Sequence, residues 1–185
     1  MLAATQSLEL LMKRIVWTFG LISGAVLAAM LLITSAFTDE IGFDRGAIIG
    51  YTTMLAASLL TYFGVRSYRD SVLGGAIRFG KAFQAALLIV LVSSVCYVVA
   101  WEFVYRRISP DFAQVYSAQV LEKAKTAGAT PEQLAAQAKS MAEFQARYKN
   151  MFFRAAMTLV EPLPVGLLMA LVSAGVLSRR RKVDA

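Results

Sequence analysis

The sequence has no histidine and a single cysteine, Cys96, and those two scarcities remove much of ordinary site chemistry. Without histidine there is no imidazole metal ligand, no Ser-His or Cys-His nucleophile pair, and no side chain whose ordinary pKa suits proton transfer near neutral pH. One cysteine cannot close an intramolecular disulfide, and Cys96, set in an apolar run, says nothing about redox compartment. Charge is scarce as well, at 17% of the 185 residues. The 19 Lys and Arg outnumber the 12 Asp and Glu, leaving a net charge of +7. No basic face with interleaved aromatics accompanies that excess outside the apolar segments, so nucleic acid is not an expected partner.

Hydrocarbon takes the place of these groups. Hydrophobic residues make up 58% of the chain and the mean hydropathy is +0.59, more than a soluble core of this length requires. The charges fall in short clusters between long uncharged runs, as in a chain that alternates between lipid and water. Runs at about residues 15–37, 46–65, 82–104 and 155–177 each approach the roughly 20 residues needed to cross ~30 Å of hydrocarbon. The expectation is an all-α fold, a single membrane domain over residues 1–185 built as a four-transmembrane-helix bundle. Lys13 and Arg14 precede the first run in the manner of a secretory signal. Its apolar core exceeds the usual signal length of about 7–15 residues, so it is expected to remain as a span.

Lysine and arginine set the orientation, because short loops rich in them stay in the cytoplasm. Lys13 and Arg14, then Arg66, Arg69, Arg78 and Lys81, then Arg179, Arg180, Arg181 and Lys182 all fall on one side. That side is expected to be cytoplasmic, with both termini inside and with Arg66, Arg69, Arg78, Lys81, Arg179, Arg180 and Arg181 at anionic phospholipid headgroups. The first outer loop carries Asp39, Glu40 and Asp44 against Arg45. The second, residues 106–154, is net positive, which is weak counter-evidence since long segments translocate largely regardless of charge.

That second segment reads as an extracytoplasmic amphipathic helical hairpin over about residues 109–150. Ser109-Pro110-Asp111 offers an N-cap, a proline at the first helical position and an acid in the first turn, and Gly128 ends that helix. Thr130-Pro131-Glu132-Gln133 starts another with a capping box. In this second helix Leu134, Ala138, Met141, Phe144, Tyr148 and Met151 recur every three or four residues, making an apolar stripe that lipid, the partner helix or another protein must cover. On the other side, the Gly75-to-Lys81 spacing imitates a phosphate-binding loop. Ala82 stands where Ser or Thr is required and no strand precedes, so that reading fails.

Several blocks carry a resemblance. Gly50-Tyr51-Thr52-Thr53-Met54, Gly64-Val65-Arg66-Ser67-Tyr68-Arg69-Asp70, Gly74-Gly75-Ala76-Ile77-Arg78-Phe79-Gly80-Lys81-Ala82-Phe83 and Glu161-Pro162-Leu163-Pro164-Val165-Gly166 together resemble the bacterial membrane family catalogued as domain of unknown function 4199. The likeness covers about residues 10–178, and Trp101-Glu102 and Asp111-Phe112 resemble one subgroup of it. The resemblance implies four transmembrane helices in a bacterial cytoplasmic membrane, and it brings no activity, ligand or site residues.

Polar and small residues within the spans are the remaining signals. Gly20, Gly24 and Ala28, then Gly46 and Gly50, then Gly166, Ala170 and Ala174 form small-x-x-x-small rows expected to serve helix packing, with a homodimer face as the functional version. Ser23, Ser93, Ser94 and Thr158 have no paired base and are expected to bond back to helix carbonyls. Glu161 lies about two turns inside the fourth run, followed by Pro162 and Pro164, which leave the carbonyls of Thr158 and Val160 without their usual donors. Glu102 enters from the same leaflet, and Arg45, Arg106, Arg107 and Arg154 lie near that level.

Two readings follow. In the first, the acids pair with these arginines and pin the outer half of the bundle. In the second, Glu102, Glu161, Pro162, Pro164, Arg154 and Arg106 form an outer-leaflet polar site for a cation, proton or lipid headgroup. No enzyme, cofactor or metal is implied. The expected function is a non-enzymatic accessory or interaction subunit, with a homo-oligomer or a membrane-protein partner, and the alternative is a small transporter or lipid-handling protein.

Overall fold

The computed structural model describes residues 2–178, with the side chains of residues 2–7, 39 and 43 outside the description. Arg179, Arg180 and Arg181, expected at lipid headgroups, also lie outside the described residues. Among the described residues there are eight helices and no strand: α1 Leu2–Ala36, α2 Thr38–Ile41, α3 Phe43–Ser71, α4 Phe79–Arg107, α5 Phe112–Thr126, α6 Pro131–Tyr148, α7 Met151–Val160 and α8 Pro162–Leu177.

Four segments, Leu8–Ala36, Asp44–Ser71, Phe79–Arg107 and Met151–Leu177, are long and apolar enough to cross a membrane. The last begins earlier than the apolar run at 155–177, because Asn150 caps α7 by accepting from the N–H groups of Phe152 (2.8 Å) and Phe153 (3.3 Å). Only 22–44% of the residues in their apolar windows are buried within the protein. Side chains such as Ile48, Val99 and Leu168 therefore stand outward, at 66%, 64% and 60% exposure. Apolar surface on that scale requires a cover other than water.

α4 is the central helix, packed against α1, α3, α7 and α8. The core divides along its length. A dense layer near the start of α4 joins Val16, Val65, Tyr68, Ala86, Ile89, Ala174 and Leu177. A thinner layer farther along joins Leu27, Met54, Ala57 and Tyr97, with Leu31 and Val165 against it. The first layer sits toward the end of the bundle that carries Arg66, Arg69, Arg78 and Lys81, the second toward the end that carries α5 and α6.

Four glycines, Gly20, Gly24, Gly64 and Gly166, explain the close approach of the helices. A Cβ on Gly20 would lie 2.7 Å from Val92 Cβ, one on Gly24 2.6 Å from Cys96 Cβ, and one on Gly166 would run into Val90. The rows at Gly20/Gly24 and at Gly166/Ala170/Ala174 are thus contact faces against α4 and the core. The Gly46/Gly50 row is not, since a Cβ on either residue meets nothing within 4 Å. That row, expected to pack, instead borders open space on α3.

The span hydroxyls also divide. Ser93 donates to the Val90 carbonyl (2.9 Å) and Thr158 to that of Arg154 (3.0 Å), both back-bonds within a helix. Ser23 donates across to the Ala57 carbonyl (3.1 Å), tying α1 to α3, and Ser94 Oγ has no partner among the described residues. The crossing bond joins two small, buried residues, Ser23 and Ala57, where α1 and α3 lie close together.

Helix α5 starts at Phe112, two residues later than the Ser-Pro-Asp sequence suggests. The Ser109 N–H is taken by the Val104 carbonyl at the end of α4 (3.0 Å), and Phe112 N–H donates to the Ser109 carbonyl (3.1 Å). Ser109 to Asp111 therefore form the turn out of α4, with Asp111 as an N-cap whose side chain makes no capping bond. Gly128 (φ 81°) permits the exit from α5. The Thr130/Gln133 capping box is present: Gln133 N–H donates to Thr130 Oγ1 (3.3 Å) and Thr130 N–H to Gln133 Oε1 (2.9 Å). Of the apolar stripe expected on one helix, Tyr148 is buried and Leu134, Met141 and Phe144 are half-buried, whereas Ala138 is exposed; Met151, also exposed, falls beyond α6 as the first residue of α7. Helix α5 supplies the cover, with ring centroids 5.8 Å apart for both Phe112–Tyr148 and Tyr116–Phe144.

Gly24→Ala and Gly166→Ala are expected to lower unfolding stability in detergent by roughly 1–3 kcal/mol each, the cost of overpacking a filled contact. Gly46→Ala and Gly50→Ala are expected to change it by less than about 0.5 kcal/mol. Thermal unfolding of the four variants beside wild type measures the contrast, and equal losses in both pairs would refute the division.

Candidate functional site

Glu102 and Glu161, read together from the sequence, occupy different environments. Arg154 clasps Glu102 in a bidentate pair, Nε to Oε1 and Nη2 to Oε2, both 2.7 Å. The Arg154 side chain is 4% exposed and that of Glu102 13%. The guanidinium also lies over the Tyr105 ring, 3.9 Å from its centroid, and donates through Nη1 to the Tyr148 carbonyl at 2.8 Å. Arg106 contributes a longer, exposed contact to Glu102 (3.7 Å) and reaches Met151 Sδ at 3.6 Å. A charge-assisted fork of this geometry leaves Glu102 neutralised and fully engaged.

The same cluster fastens the hairpin. Trp101 Nε1 donates to Tyr148 Oη (2.8 Å), and the Trp101 and Phe112 rings meet edge to face at 4.7 Å. Burial holds the Tyr148 phenol above its ordinary pKa, so it stays protonated while its oxygen accepts the tryptophan bond. On the far side of α5, Lys123 pairs with Asp44 at the start of α3. Residues of α3, α4, α5, α6 and α7 are joined in this way around one end of the bundle.

Beneath α5 lies a cavity of about 770 Å³ between α1, α3 and α4. Leu27, Met54, Tyr97 and Glu161 line its deep part, each nine to eleven residues from its helix end, or roughly 14–16 Å at the helical rise. Gly50, Tyr51 and Trp101 line the middle, and Asp111, Phe112 and Tyr116 the mouth. The absence of a side chain at Gly46 and Gly50 is what leaves this volume open.

Glu161 faces that space. It accepts a 2.9 Å hydrogen bond from Tyr97 Oη, and it makes no ion pair among the described residues. Glu161 is exposed, unlike Glu102, and lines the cavity. The expectation that both acids pair with arginine therefore holds for Glu102 and fails for Glu161. The reason lies in height along the bundle: Arg154 stands seven residues before Glu161, on the same face but about 10 Å away along the axis, and meets Glu102 of α4 at its own level while Glu161 meets Tyr97.

The local sequence puts Glu161 there. It joins α7 to α8 at φ −63°, ψ −54°, so the acid stays on the helical path although Pro162 and Pro164 withhold two backbone donors. Pro162 is buried and Pro164 exposed. Chemically, the arrangement offers a carboxylate, a phenol and aromatic walls, suited to holding a charged or hydrogen-bonding group. No cluster of three metal-ligating side chains occurs among the described residues.

At the opposite end Asp70 takes up part of the basic charge. Arg69 forms two bonds to it (2.6 and 3.2 Å) and Arg66 approaches at 3.5 Å. Arg78 and Lys81 are exposed and make no ion pair among the described residues.

Tyr51, Tyr97, Trp101 and Gly50 escaped the sequence reading as site residues. A signal existed for some of them: Tyr97 and Trp101 are four apart on α4, as Gly46 and Gly50 are on α3, so each pair shares a face. Glu102, one residue beyond Trp101, is turned about 100° away from that face.

A family model described as "Protein of unknown function (DUF4199)" matches residues 18–179. No curated protein and no solved structure matches the chain.

Removing one partner of the buried pair strands the other. Arg154→Met is expected to destabilise the protein by about 3–5 kcal/mol, and Glu102→Leu with Arg154→Met to recover much of that loss. Glu161→Gln, which breaks no ion pair, is expected to cost less than about 1.5 kcal/mol. Unfolding curves in one detergent rank the variants, and a Glu161→Gln loss as large as that of Arg154→Met would contradict the assignment.

Proposed function

The chain belongs to the family so described, and from that premise we propose a non-enzymatic, multi-pass protein of the bacterial cytoplasmic membrane that holds a small amphiphile or lipid in the cavity beneath α5. The observation that carries this reading is Glu161, a carboxylate at the depth of the apolar spans that opens into a cavity without a basic partner among the described residues. An ionisable group in the middle of a span costs about 2.5–3.5 kcal/mol on insertion scales, so it persists where it has a use. Glu102 supports the contrast, because the same fold supplies that acid with an arginine.

The positive-inside rule orients the molecule with Arg66, Arg69, Arg78 and Lys81 in the cytoplasm, both termini inside, and the cavity in the outer leaflet beneath an extracytoplasmic hairpin. Arg78 and Lys81, unpaired within the described residues, are the better placed for anionic phospholipid headgroups. A non-enzymatic role is supported by Ser23, Ser93 and Thr158, whose hydroxyls bond to backbone carbonyls rather than to a base. A second reading, an accessory subunit in a homo-oligomer or with a membrane-protein partner, draws on Phe152, which is 83% exposed at the foot of the hairpin.

Native mass spectrometry from mild detergent separates the two. A stoichiometric adduct of amphiphile or lipid mass is expected on wild type and is expected to be lost in Gly50→Phe, which fills the cavity from a wall with no atom within 4 Å of the new Cβ. An adduct that survives in Gly50→Phe, or a co-purified protein in its place, would contradict the binding role.

A further inference from the structure

Building on that cavity reading, we propose that the occupant is a cation: a phosphate-free amphiphile that ends in a primary or quaternary ammonium group, with its head against Glu161. Charge is the first argument. The chain carries a net +7, yet the residues around this cavity include the carboxylates Glu161 and Asp111 and, among the described residues, no lysine or arginine. Arg154 and Arg106 are engaged by Glu102, and Arg45 and Arg107, next in the chain to the lining residues Gly46 and Ile108, do not themselves line the cavity. An anion would meet two like charges at the mouth and floor and no counter-charge between them.

Coordination chemistry then narrows the cation. A bare hard ion takes six or more oxygen ligands in a fixed shell. The floor offers one carboxylate and one phenol, bonded to each other at 2.9 Å, amid Leu27 and Met54. That donor set is too poor for a metal ion and sufficient for an ammonium, which needs a counter-ion and ring surface rather than a full oxygen shell. Tyr51 and Trp101 supply the ring surface just above the acid, and aromatic rings attract alkylammonium groups through their quadrupoles.

Size and polarity fix the rest. At about 770 Å³ the cavity far exceeds a small ion and suits a molecule with an alkyl part. With the head at Glu161, that part lies upward along Met30 and Leu31 toward Val115 under α5. A zwitterionic phospholipid shares the ammonium chemistry, but its phosphate would have no lysine or arginine to meet it in this lining.

The test uses the full chain in a neutral maltoside detergent. The sequence has two tryptophans, so a Trp17→Phe background makes Trp101, which lines the cavity, the sole fluorescent reporter. Hexyltrimethylammonium is titrated beside hexanol and hexyl sulfate. A saturable response to the ammonium that is at least about tenfold tighter than to the other two is expected, the factor worth about 1.4 kcal/mol. In Glu161→Gln the ammonium is expected to bind about tenfold more weakly, and in Gly50→Phe not at all.

Equal binding of hexanol or hexyl sulfate, or unchanged ammonium binding in folded Glu161→Gln, overturns the cation assignment, and if Gly50→Phe still abolishes binding the cavity reading stands. Binding unchanged in Gly50→Phe, or no response to any probe, overturns the cavity reading as well. The comparison of the three probes on the Trp17→Phe protein requires no substitution at Glu161 and decides the matter even where Glu161→Gln does not fold. Displacement of the probe by phosphatidylethanolamine in mixed micelles would overturn the phosphate-free assignment, and failure to displace it is the expected result.

Discussion

The fork between Arg154 and Glu102 holds one end of this bundle in register. Glu102 sits on the central helix, and Arg154 follows α6 by only a few residues, so their bidentate pair at 2.7 Å ties the chain leaving the hairpin to the chain entering it. Through Nη1 the same guanidinium binds the last carbonyl of α6, and its plane covers Tyr105. Tyr148 in turn accepts from Trp101 and packs on Phe112, the first residue of α5. The position of α5 as a roof therefore depends on a charge pair made at the level where lipid gives way to water. An arginine whose planar fork matches a carboxylate is better suited to this than a lysine, because it satisfies several acceptors at once.

The remainder of the bundle obeys a different constraint. In hydrocarbon there is no hydrophobic drive to bring helices together, so they associate where backbones can approach closely. Gly20, Gly24 and Gly166 permit that approach to α4, and the dense core layer lies on that side. Toward the hairpin the core thins to Leu27, Met54, Ala57 and Tyr97. There Gly46 and Gly50 meet no neighbour, and the missing volume appears as the cavity. Tight packing at one end and space at the other are compatible because Ser23 ties α1 to α3 close to where the separation begins. The functional reading follows from this asymmetry: a rigid base, a roof locked by one ion pair, and a lone acid between them.

How much of this was legible in the sequence depended on how local each feature is. The four spans follow from runs of apolar residues, Gly128 and the Thr130/Gln133 box from signals three to four residues long, and the interruption at Glu161 from the two prolines beside it. Those features need only neighbours in the chain. The start of α5 was misjudged at Pro110 because the end of α4 competes for Ser109. The small-residue rows read alike at Gly20/Gly24 and Gly46/Gly50, and only the arrangement of helices decides which face meets another. Likewise, the sequence set two acids near four arginines without indicating that Arg154 turns to Glu102 and leaves Glu161 to Tyr97. Pairings across about fifty to sixty residues depend on height along the bundle and helix order together, and neither acid's neighbours in the chain carry that information.

The central claim is that Glu161 stands at the floor of a cavity open at the α5/α6 end of the bundle, while Glu102, nearer that end, is enclosed by its partner. Placing a cysteine at either position on a Cys96→Ser background and adding a membrane-impermeant cationic thiol reagent to intact cells measures this directly. The account predicts rapid modification of Glu161→Cys, suppressed when Gly50→Phe is added, and slow modification of Glu102→Cys in whatever fraction folds. A Glu161→Cys thiol that stays unreactive until the membrane is permeabilised would contradict it.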